Sequence, residues 1–506
     1  MIKLKGFHDA QSLWPKLNAI TGRLAAKDAT LWGKEAEAEA ALRLNWIDLP
    51  SSSRELLPLL DALSAWSREI GHNDFVLCGM GGSSLAPEVI AAVYKKELTV
   101  LDSTDPHHVA QVLNRDLRKT CFIIGSKSGS TIETASQRSA AECELRKQGL
   151  DPQNHVVIVT DPGSPLDIDA RNAGLRVINA DPNVGGRFSA LSAFGLTPAA
   201  LIGVDVSVLL DDALAASETF TSPDSSVVRV AAALSLPSFA YTGLSDQGSA
   251  LPGLSDWIEQ LIAESTGKND KGVLPVVTSR SSSSLYPVIT FDGTGTQSIE
   301  ASLGEQFIFW EWVTALLGFL LMVDPFNQPN VTEAKEKTGA LLKRWQTNGA
   351  DVLEPAFSTA NVAVYADSSF DSLSHYLREA LNNSKGYIAI MAYLHRGIDD
   401  EIVSIREVLE DASAKATTFG WGPRFLHSTG QFHKGGPKVG SFIQITGANE
   451  SSWPIEGREF GFETLVMAQA LGDNEALRDR SYPVVRFHLK KRSAGIAELL
   501  EAARTL

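Results

Sequence analysis

Short apolar runs that alternate with helical segments constrain the fold of this chain more than any other feature. The runs in the first half of the chain cover residues 75–78, 98–101, 121–124, 156–159 and 175–178. Short runs of this kind, apolar here except for Thr99 and Arg176, are typical of parallel strands that are covered on both faces of a sheet. The pattern therefore predicts a doubly wound α/β fold, in which ligands bind at the carboxyl ends of the strands.

Small hydroxyl residues and one lysine follow the run 121–124. The chain reads Gly-Ser-Lys-Ser-Gly-Ser-Thr up to Thr131, and residues 131–147 have a helical composition. Ser130 and Glu133 match a capping box, which predicts that the helix begins at Thr131. Backbone N–H groups, the positive end of the helix dipole and Lys127 would converge on an anion there. We interpret the stretch as a phosphate-binding loop, with an ordinary capped turn as the alternative.

The loop after residues 75–78 carries three glycines, at positions 79, 81 and 82, followed by Ser83. Its spacing partly matches a dinucleotide-binding fingerprint, and Asp102 lies near the expected acidic position. Ser84 occupies the place of the third glycine, which disfavours a nicotinamide cofactor, and such a loop equally surrounds a sugar phosphate. Because parallel strands end on one side of a sheet, we expect both loops to open onto the same edge.

A candidate general base lies on the segment 254–266, whose apolar residues recur at helical spacing. They predict one buried stripe, and a separate polar line runs through Asp256, Gln260 and Glu264. Glu264 stands in the last helical turn, where the negative end of the helix dipole disfavours its ionised form and suits a base. The alternative is a solvated polar face on an amphipathic helix.

Other side chains carry groups that could take part in a reaction, but no local sequence pattern decides their role. Arg187 follows two glycines, which suits a guanidinium that stabilises an oxyanion, or a structural loop arginine. Lys335 lies in the first turns of a helix that we expect Asn330 to cap, and a surface lysine is the alternative. His427 and His433 lie in a loop of small polar residues. No cysteine or carboxylate completes a metal ligand set nearby, so we expect no metal.

The length of 506 residues predicts about three domains. We expect a helical segment over 1–70, α/β domains over 71–220 and 221–355, and a C-terminal α/β domain over 360–506. The net charge of −15 argues against a nucleic-acid partner. Residues 307–323 are short for a membrane span and contain Glu311, so we expect a buried helix there. Three cysteines without metal or redox spacing, and an N-terminus without an apolar signal, predict a cytoplasmic protein that does not contact a membrane.

Taken together, several segments resemble the glucose-6-phosphate isomerase family. They are the loop 183–189, the helix end 264–268 and the stretch 326–335, with the loops 79–83 and 126–131 similar to the family's two sugar-isomerase (SIS) phosphate loops. The whole chain most resembles the isomerase half of bacterial transaldolase/glucose-6-phosphate isomerase fusions. The resemblance implies two SIS-type doubly wound parallel-sheet domains plus a C-terminal α/β domain that carries the histidine loop.

The resemblance also implies a reaction, the interconversion of glucose 6-phosphate and fructose 6-phosphate through a cis-enediolate. Glu264 would move a proton between C1 and C2, Arg187 would stabilise the enediolate, and Lys335 would open the sugar ring with a histidine. This chemistry needs no metal or organic cofactor. The residues implied to bind the phosphorylated hexose, mostly at its phosphate, are Gly81, Gly82, Ser83, Ser126, Lys127, Ser128, Thr131, Gln260 and Gln328.

The histidine is where the sequence departs from the family pattern. The family carries it between the counterparts of Glu264 and Lys335, and this chain has no histidine between those positions. We expect the segment 425–436 to supply it, from the same chain or a neighbouring subunit, and favour His427 over His433. The resemblance makes a homo-oligomer plausible, with a separate transaldolase as a possible partner. An isomerase of another 6-anionic hexose (mannose 6-phosphate or a sulfonated hexose) and a non-catalytic sugar-phosphate sensor are the alternatives.

Overall fold

The computed structural model describes residues 2–349, 353–449 and 452–506. The chain divides into two compact units. Unit 1 comprises Met1–Asp102 and Val112–Asn327, and unit 2 comprises Ser103–Gln111 and Gln328–Leu506. Each unit is described by itself below, and the domain boundaries given above stay a prediction.

The strands and helices alternate along most of the chain. The strands are β1 (Lys3–Lys5), β2 (Asp74–Gly79), β3 (Thr99–Leu101), β4 (Thr120–Gly125), β5 (Val156–Thr160), β6 (Arg176–Asn179), β7 (Tyr241–Ser245), β8 (Leu274–Val277), β9 (Val288–Thr290), β10 (Gln297–Glu300), β11 (Phe357–Ser358), β12 (Val362–Tyr365), β13 (Tyr387–Tyr393), β14 (Ala416–Trp421), β15 (Gly440–Gly447) and β16 (Val484–Leu489). The helices are α1 (Trp14–Ala25), α2 (Glu37–Arg43), α3 (Leu49–Ser52), α4 (Leu57–Ile70), α5 (Leu85–Val93), α6 (Pro106–Leu113), α7 (Ile132–Lys147), α8 (Pro165–Asn172), α9 (Ala193–Leu201), α10 (Val206–Ser217), α11 (Ser226–Leu234), α12 (Leu254–Thr266), α13 (Leu303–Leu321), α14 (Pro329–Asn348), α15 (Leu373–Asn383), α16 (Ile405–Ser413), α17 (Gly430–Gly435), α18 (Phe462–Asp479) and α19 (Arg492–Arg504).

Unit 1 contains two sheets. The first has the order β3-β2-β4-β5-β6 with every neighbouring pair parallel. Its strands coincide with the five apolar runs, and β4 and β5 are buried along their whole length, as expected of strands covered on both faces. The second sheet has the order β1-β10-β9-β7-β8, parallel except for the edge strand β1. The predicted doubly wound parallel sheet is therefore confirmed.

Helix α13 forms the centre of the apolar core of unit 1 and packs against α10, α11 and α12. Every residue from Leu303 to Gly318 is buried, including Glu311. The expectation of a buried helix here is confirmed, with a start four residues earlier than the apolar run. Among the described residues, the helices all fall short of the length or apolarity that a membrane crossing requires.

Unit 2 is built on one six-stranded sheet with the order β11-β12-β16-β15-β13-β14. Strands β16, β15, β13 and β14 run parallel, with β14 at one edge, and β12 and β11 complete the other edge in antiparallel orientation. Helices α15, α16 and α19 pack on it through an apolar core separate from that of unit 1. The predicted fold class, α/β with several parallel sheets and an additional α/β region, is confirmed.

Two predicted helix caps are wrong. Helix α7 begins at Ile132 with Thr131 as its N-cap, because the hydroxyl of Ser130 lies 2.7 Å from that of Ser128 and forms no capping box with Glu133. Helix α14 begins at Pro329 with Gln328 as its N-cap, in agreement with the preference of proline for the first helical position. In both cases the helix was predicted and its first residue was missed.

Candidate active site

Two glycine-containing loops leave the first sheet of unit 1 side by side. Strands β2 and β4 are parallel neighbours, and Gly79 is paired with Gly125 at their carboxyl ends. A Cβ atom at Gly79 would lie 3.0 Å from the Cβ of Ser83, and one at Gly125 would lie 3.3 Å from the same atom. Glycine at both strand ends therefore lets Ser83 sit between the two loops, on the edge where the sequence placed them.

The first loop also touches the loop that carries Arg187. A Cβ atom at Gly82 would lie 2.0 Å from the carbonyl oxygen of Gly186, a distance that no side chain could occupy. The hydroxyl of Ser189 lies 2.6 Å from the same oxygen and 3.4 Å from that of Gly82. Only glycine at position 82 permits this approach, so the 79–83 loop and the Arg187 loop form one surface.

The second loop presents hydroxyl groups at the N-terminus of α7. Ser126 is buried, its backbone N–H donates to the carbonyl of Val159, and its hydroxyl lies 3.5 Å from that of Thr131. Ser128 is exposed, as expected of a group that binds a solute. Hydroxyls, backbone N–H groups and the positive helix end together have the chemistry of a phosphate site.

The ammonium group of Lys127 has protein partners that the sequence did not reveal. It lies 2.6 Å from a carboxylate oxygen of Asp161 and 3.0 Å from the carbonyl oxygen of Pro182. Burial lowers the pKa of Lys127, and the hydrogen bond to Asp161 opposes this shift. Asp161 follows β5, the next strand along the sheet, so the same sheet edge supplies the cation and its counterion.

Arg187, Glu264 and Gln260 meet in the interior of unit 1. The guanidinium of Arg187 lies 3.2 Å from one carboxylate oxygen of Glu264, and the amide of Gln260 donates to the other at 3.1 Å. The side chains of Arg187 and Glu264 are only 3% and 10% exposed. Helix α12, predicted over the same residues, places Gln260 and Glu264 one turn apart. Gln260 and Glu264 are therefore part of a buried centre and not of a solvated face, whereas Asp256, at the start of the polar line, is exposed.

Backbone and hydroxyl oxygens fix the orientation of the Arg187 side chain. Its Nε donates to the hydroxyl of Ser265 at 2.8 Å, and its Nη2 donates to the carbonyl oxygens of Pro325 and Asn327 at 2.6 and 2.9 Å. Burial lowers the pKa of Arg187, and the negative charge of Glu264 opposes that shift. A guanidinium held in this way has its direction set before any ligand arrives, which is the requirement for stabilising a developing oxyanion.

The N-terminal segment supports the loop that carries Arg187. Leu44 forms an isolated antiparallel bridge with Val184, and the guanidinium of Arg43 donates to the carbonyl of Pro182 at 3.0 Å. The rings of Trp46 and Phe188 lie 5.2 Å apart. The segment that joins α2 to α3 thus packs along the whole loop.

Unit 2 carries the remaining predicted residues. Gln328 caps α14, and Lys335 is exposed in the second turn of that helix. His427 is half-buried at the end of the 3-10 turn Arg424–His427, which packs on α14 together with α17. The side-chain amide of Gln431 holds these elements together: its Nε2 donates to Oδ1 of Asn330 at 2.8 Å, and its Oε1 accepts from the backbone N–H of Asn330 at 3.0 Å. The turn with His427 is therefore attached to the helix that carries Lys335.

His433 lies in the core of unit 2. Its side chain is 2% exposed, its Nδ1 lies 3.1 Å from the hydroxyl of Tyr387, and the two rings stack with centroids 5.7 Å apart. Burial, with a contribution from neighbouring Lys434, lowers the pKa of His433 to about 3. The aromatic ring of Phe442 lies on another side of the imidazole. These surroundings are those of a neutral core histidine.

Residues 64–303 match the family model of phosphoglucose isomerase. Over this segment, a little under half of the chain, the protein resembles phosphoglucose isomerase. The chain is 35% identical to a glucose-6-phosphate isomerase of Thermus thermophilus over 283 residues, which are 53% of this chain and 64% of that protein. It is 33% identical to a glucose-6-phosphate isomerase of Campylobacter jejuni over 204 residues, 38% of this chain and 50% of that protein. The chain thus spans less than two thirds of the length of either relative.

Two solved structures share the SIS-type fold. A hypothetical protein from Thermus thermophilus superposes with a TM-score of 0.56 at 26% identity and covers 69% of this chain and 100% of its own. A glucose-6-phosphate isomerase from Chlamydia trachomatis superposes with a TM-score of 0.53 at 20% identity, covering 64% of this chain and 78% of its own.

The phosphoglucose isomerase segment contains both phosphate loops, Arg187, Gln260 and Glu264. The residues predicted for ring opening, Lys335 and the histidine, lie after its end. The order of the motifs along the chain could identify the first group and Lys335, which ends the family-like stretch 326–335, whereas the position of the histidine departs from the family pattern.

Proposed function

We propose that the protein catalyses the reversible isomerisation of glucose 6-phosphate and fructose 6-phosphate through a cis-enediolate. The proposal rests above all on the buried pair of Glu264 and Arg187, whose charged groups lie 3.2 Å apart. Aldose–ketose isomerisation needs a carboxylate that moves a proton between neighbouring carbons and a fixed cation for the oxyanion. A sugar-phosphate sensor has no use for both groups in one centre.

In the direction from aldose to ketose, the carboxylate of Glu264 takes the proton from C2 of the open-chain sugar. The electron pair left behind forms the double bond between C1 and C2, and negative charge collects on the oxygen of C1. The guanidinium of Arg187 offsets that charge, since its hydrogen bonds to Ser265 and to two carbonyls already fix its direction. Glu264 then returns the proton to C1, while the proton on O2 passes to O1 and leaves a ketone at C2.

We assign the substrate phosphate to the loop from Ser126 to Thr131, with Ser83 and Gln328 as further contacts and Gln260 as a residue that seats the sugar. Binding energy gained at the phosphate is remote from the reacting carbons and can be used to orient them. For ring opening we assign Lys335 and His427. The burial of His433 supports the choice of His427.

The experiment that tests the proposal is a coupled assay of fructose 6-phosphate conversion. Wild type is compared with Glu264→Gln, His427→Ala and the matched control Asp256→Asn, an exposed carboxylate on the same helix. We expect Glu264→Gln to lower kcat by about 100- to 10,000-fold, the usual contribution of a positioned base, while Asp256→Asn stays near wild type.

Each other outcome has a defined meaning. Turnover in Glu264→Gln close to that of wild type would refute the assignment of the base. Turnover kept in His427→Ala would move ring opening to another histidine. If wild type binds phosphosugars without converting this pair, mannose 6-phosphate and a sulfonated hexose are tested next, and failure with all of them leaves the sensor function.

We also propose that the protein acts in the cytoplasm as a homo-oligomer, and that a separate transaldolase is a candidate partner. These proposals rest on the resemblance to the isomerase half of the fusion proteins. Sedimentation of the purified chain alone and mixed with a transaldolase tests the oligomer and the partner independently.

A further inference from the structure

The segment 324–327 connects α13 to α14 and turns its carbonyl oxygens towards two buried cations. The carbonyls of Pro325 and Asn327 accept from Arg187, and the carbonyl of Asp324 accepts from the ammonium group of Lys268. The segment is itself closed by the side chain of Asp324, which accepts from the backbone N–H groups of Phe326 and Asn327 at 2.8 and 3.4 Å. Three of its four carbonyls are thus bound to cations.

Lys268 lies just beyond the end of the helix that carries Glu264, and only 3% of its surface is exposed. Charged groups of four elements act on it electrostatically: Arg187 in its loop, Glu264 on α12, Asp324 in the segment after α13, and Glu39 on α2. A lysine buried beside an arginine costs free energy that a solvated lysine does not. A lysine that is buried at this cost is expected to have a function, and neither the phosphate loops nor the ring-opening residues account for it.

We propose that Lys268 is a positioning residue of the proton-transfer centre. Its ammonium group holds the 324–327 segment, and through this segment the guanidinium of Arg187, at the distance from Glu264 that the reaction requires. Its charge also compensates the negative charge that moves from Glu264 to the enediolate. The inference rests on the proposed isomerase function and adds a residue to it.

The role of the ammonium group makes the reaction sensitive to alkaline pH. Burial, together with the charge of Arg187, lowers the pKa of Lys268 well below its usual value. The positive charge is therefore lost at a lower pH than for an exposed lysine as the pH rises. An arginine at this position keeps its charge over the whole range, because a guanidinium is not deprotonated in proteins.

The test compares wild type with Lys268→Met, Lys268→Arg and the control Lys271→Met. Lys271 lies in the same loop and pairs with Lys268 through the backbone, which the substitution leaves in place, while its ammonium group donates to the carbonyl of Leu321 at 3.0 Å. We expect Lys268→Met to lower kcat for fructose 6-phosphate by about 100-fold while KM changes less than about threefold, since the loss concerns the transition state. In Lys268→Arg, the alkaline limb of the kcat profile moves at least about one pH unit upwards.

A second readout does not depend on turnover. Hydrogen exchange of the backbone N–H groups of Phe326 and Asn327, measured without substrate, should become about tenfold faster in Lys268→Met and return towards wild type in Lys268→Arg. If Lys268→Met exchanges faster but the wild-type protein shows no isomerase activity, the proposed function is refuted and the positioning role of Lys268 stays.

Three results would overturn the inference: unchanged exchange in Lys268→Met, equal loss of kcat in Lys271→Met, or alkaline limbs that coincide in wild type and Lys268→Arg. If Lys268→Met fails to fold, the profile and exchange of Lys268→Arg decide the question alone.

Discussion

Replacement of His433 by glutamine tests whether this histidine serves packing or catalysis. The imidazole is 2% exposed and stacks on Tyr387, so glutamine removes a ring from a packed site but keeps a polar group near the tyrosine hydroxyl. We expect turnover to stay within a few-fold of wild type, in contrast to the collapse expected of His427→Ala. The stability of the protein should change in a way that depends on pH.

The sign and size of that dependence follow from the pKa. The pKa of His433 is lowered from 6.5 to about 3, so below pH 6.5 the unfolded chain binds a proton that the folded protein does not. The stability of wild type therefore falls as the pH drops from 6.5 towards about 3, by about 1.4 kcal/mol per pH unit in the steep part. Between neutral pH and about pH 5 the loss from this residue is about 2 kcal/mol. The stability of His433→Gln should not fall in this way, because the glutamine side chain does not titrate.

The assay is urea unfolding of wild type and His433→Gln at about pH 8 and about pH 5, on either side of the ordinary histidine pKa. At the higher pH the variant should be less stable by about 1–3 kcal/mol, the usual effect of a core substitution. At the lower pH this gap should shrink by about 2 kcal/mol. His375→Gln, at an exposed position of unit 2, serves as the control. A gap for His433→Gln that stays constant with pH, or a loss of turnover as large as that of His427→Ala, would refute the reasoning.

Two further substitutions test the packing around the site. Gly82→Ala should lower kcat by about 100-fold, because its Cβ would lie 2.0 Å from the carbonyl of Gly186 and force the two loops apart. Gly186→Ala, whose Cβ would meet nothing within 4 Å, is the control, and equal kinetics in both variants would contradict the argument. Lys434→Met should destabilise unit 2 by about 3–5 kcal/mol, because it leaves the carboxylate of Asp473, itself 1% exposed, without its ion-pair partner. Urea unfolding measures this effect, and the double variant Lys434→Met/Asp473→Leu should recover most of the loss.

The sequence predicted the parts of the fold that depend on local patterns. Apolar runs and helical spacing found the strands of the first sheet, α12 and the buried helix α13, because burial on two faces or on one stripe leaves a periodic signal. The first residues of α7 and α14 were missed. The position of a cap depends on which neighbouring group forms a hydrogen bond with the capping side chain. The hydroxyl of Ser130 bonds to Ser128 and the side chain of Asn330 bonds to Gln431, so neither residue caps its helix.

The sequence predicted which residues belong to the site, but it did not predict the contacts between them. Arg187 and Glu264 were named separately, and their pairing became visible only when a loop and a helix far apart in sequence met. Asp161 and Lys268 were not predicted as members of the site, because pairing with a buried charge leaves no periodicity. The small polar residues around His433 pointed to a loop, although the ring is enclosed by aromatic side chains from distant strands.

The bridge between Leu44 and Val184, with the contact of Trp46 on Phe188, has a consequence for how this protein can be divided. The match to the family model begins at residue 64, so the support of the Arg187 loop lies outside the segment that the family model covers. A fragment trimmed to the matched residues would keep the two loops that we propose to bind phosphate and the proposed base Glu264. It would lose the residues that support the Arg187 loop. We therefore expect the smallest functional fragment to be longer than the segment that matches the family model.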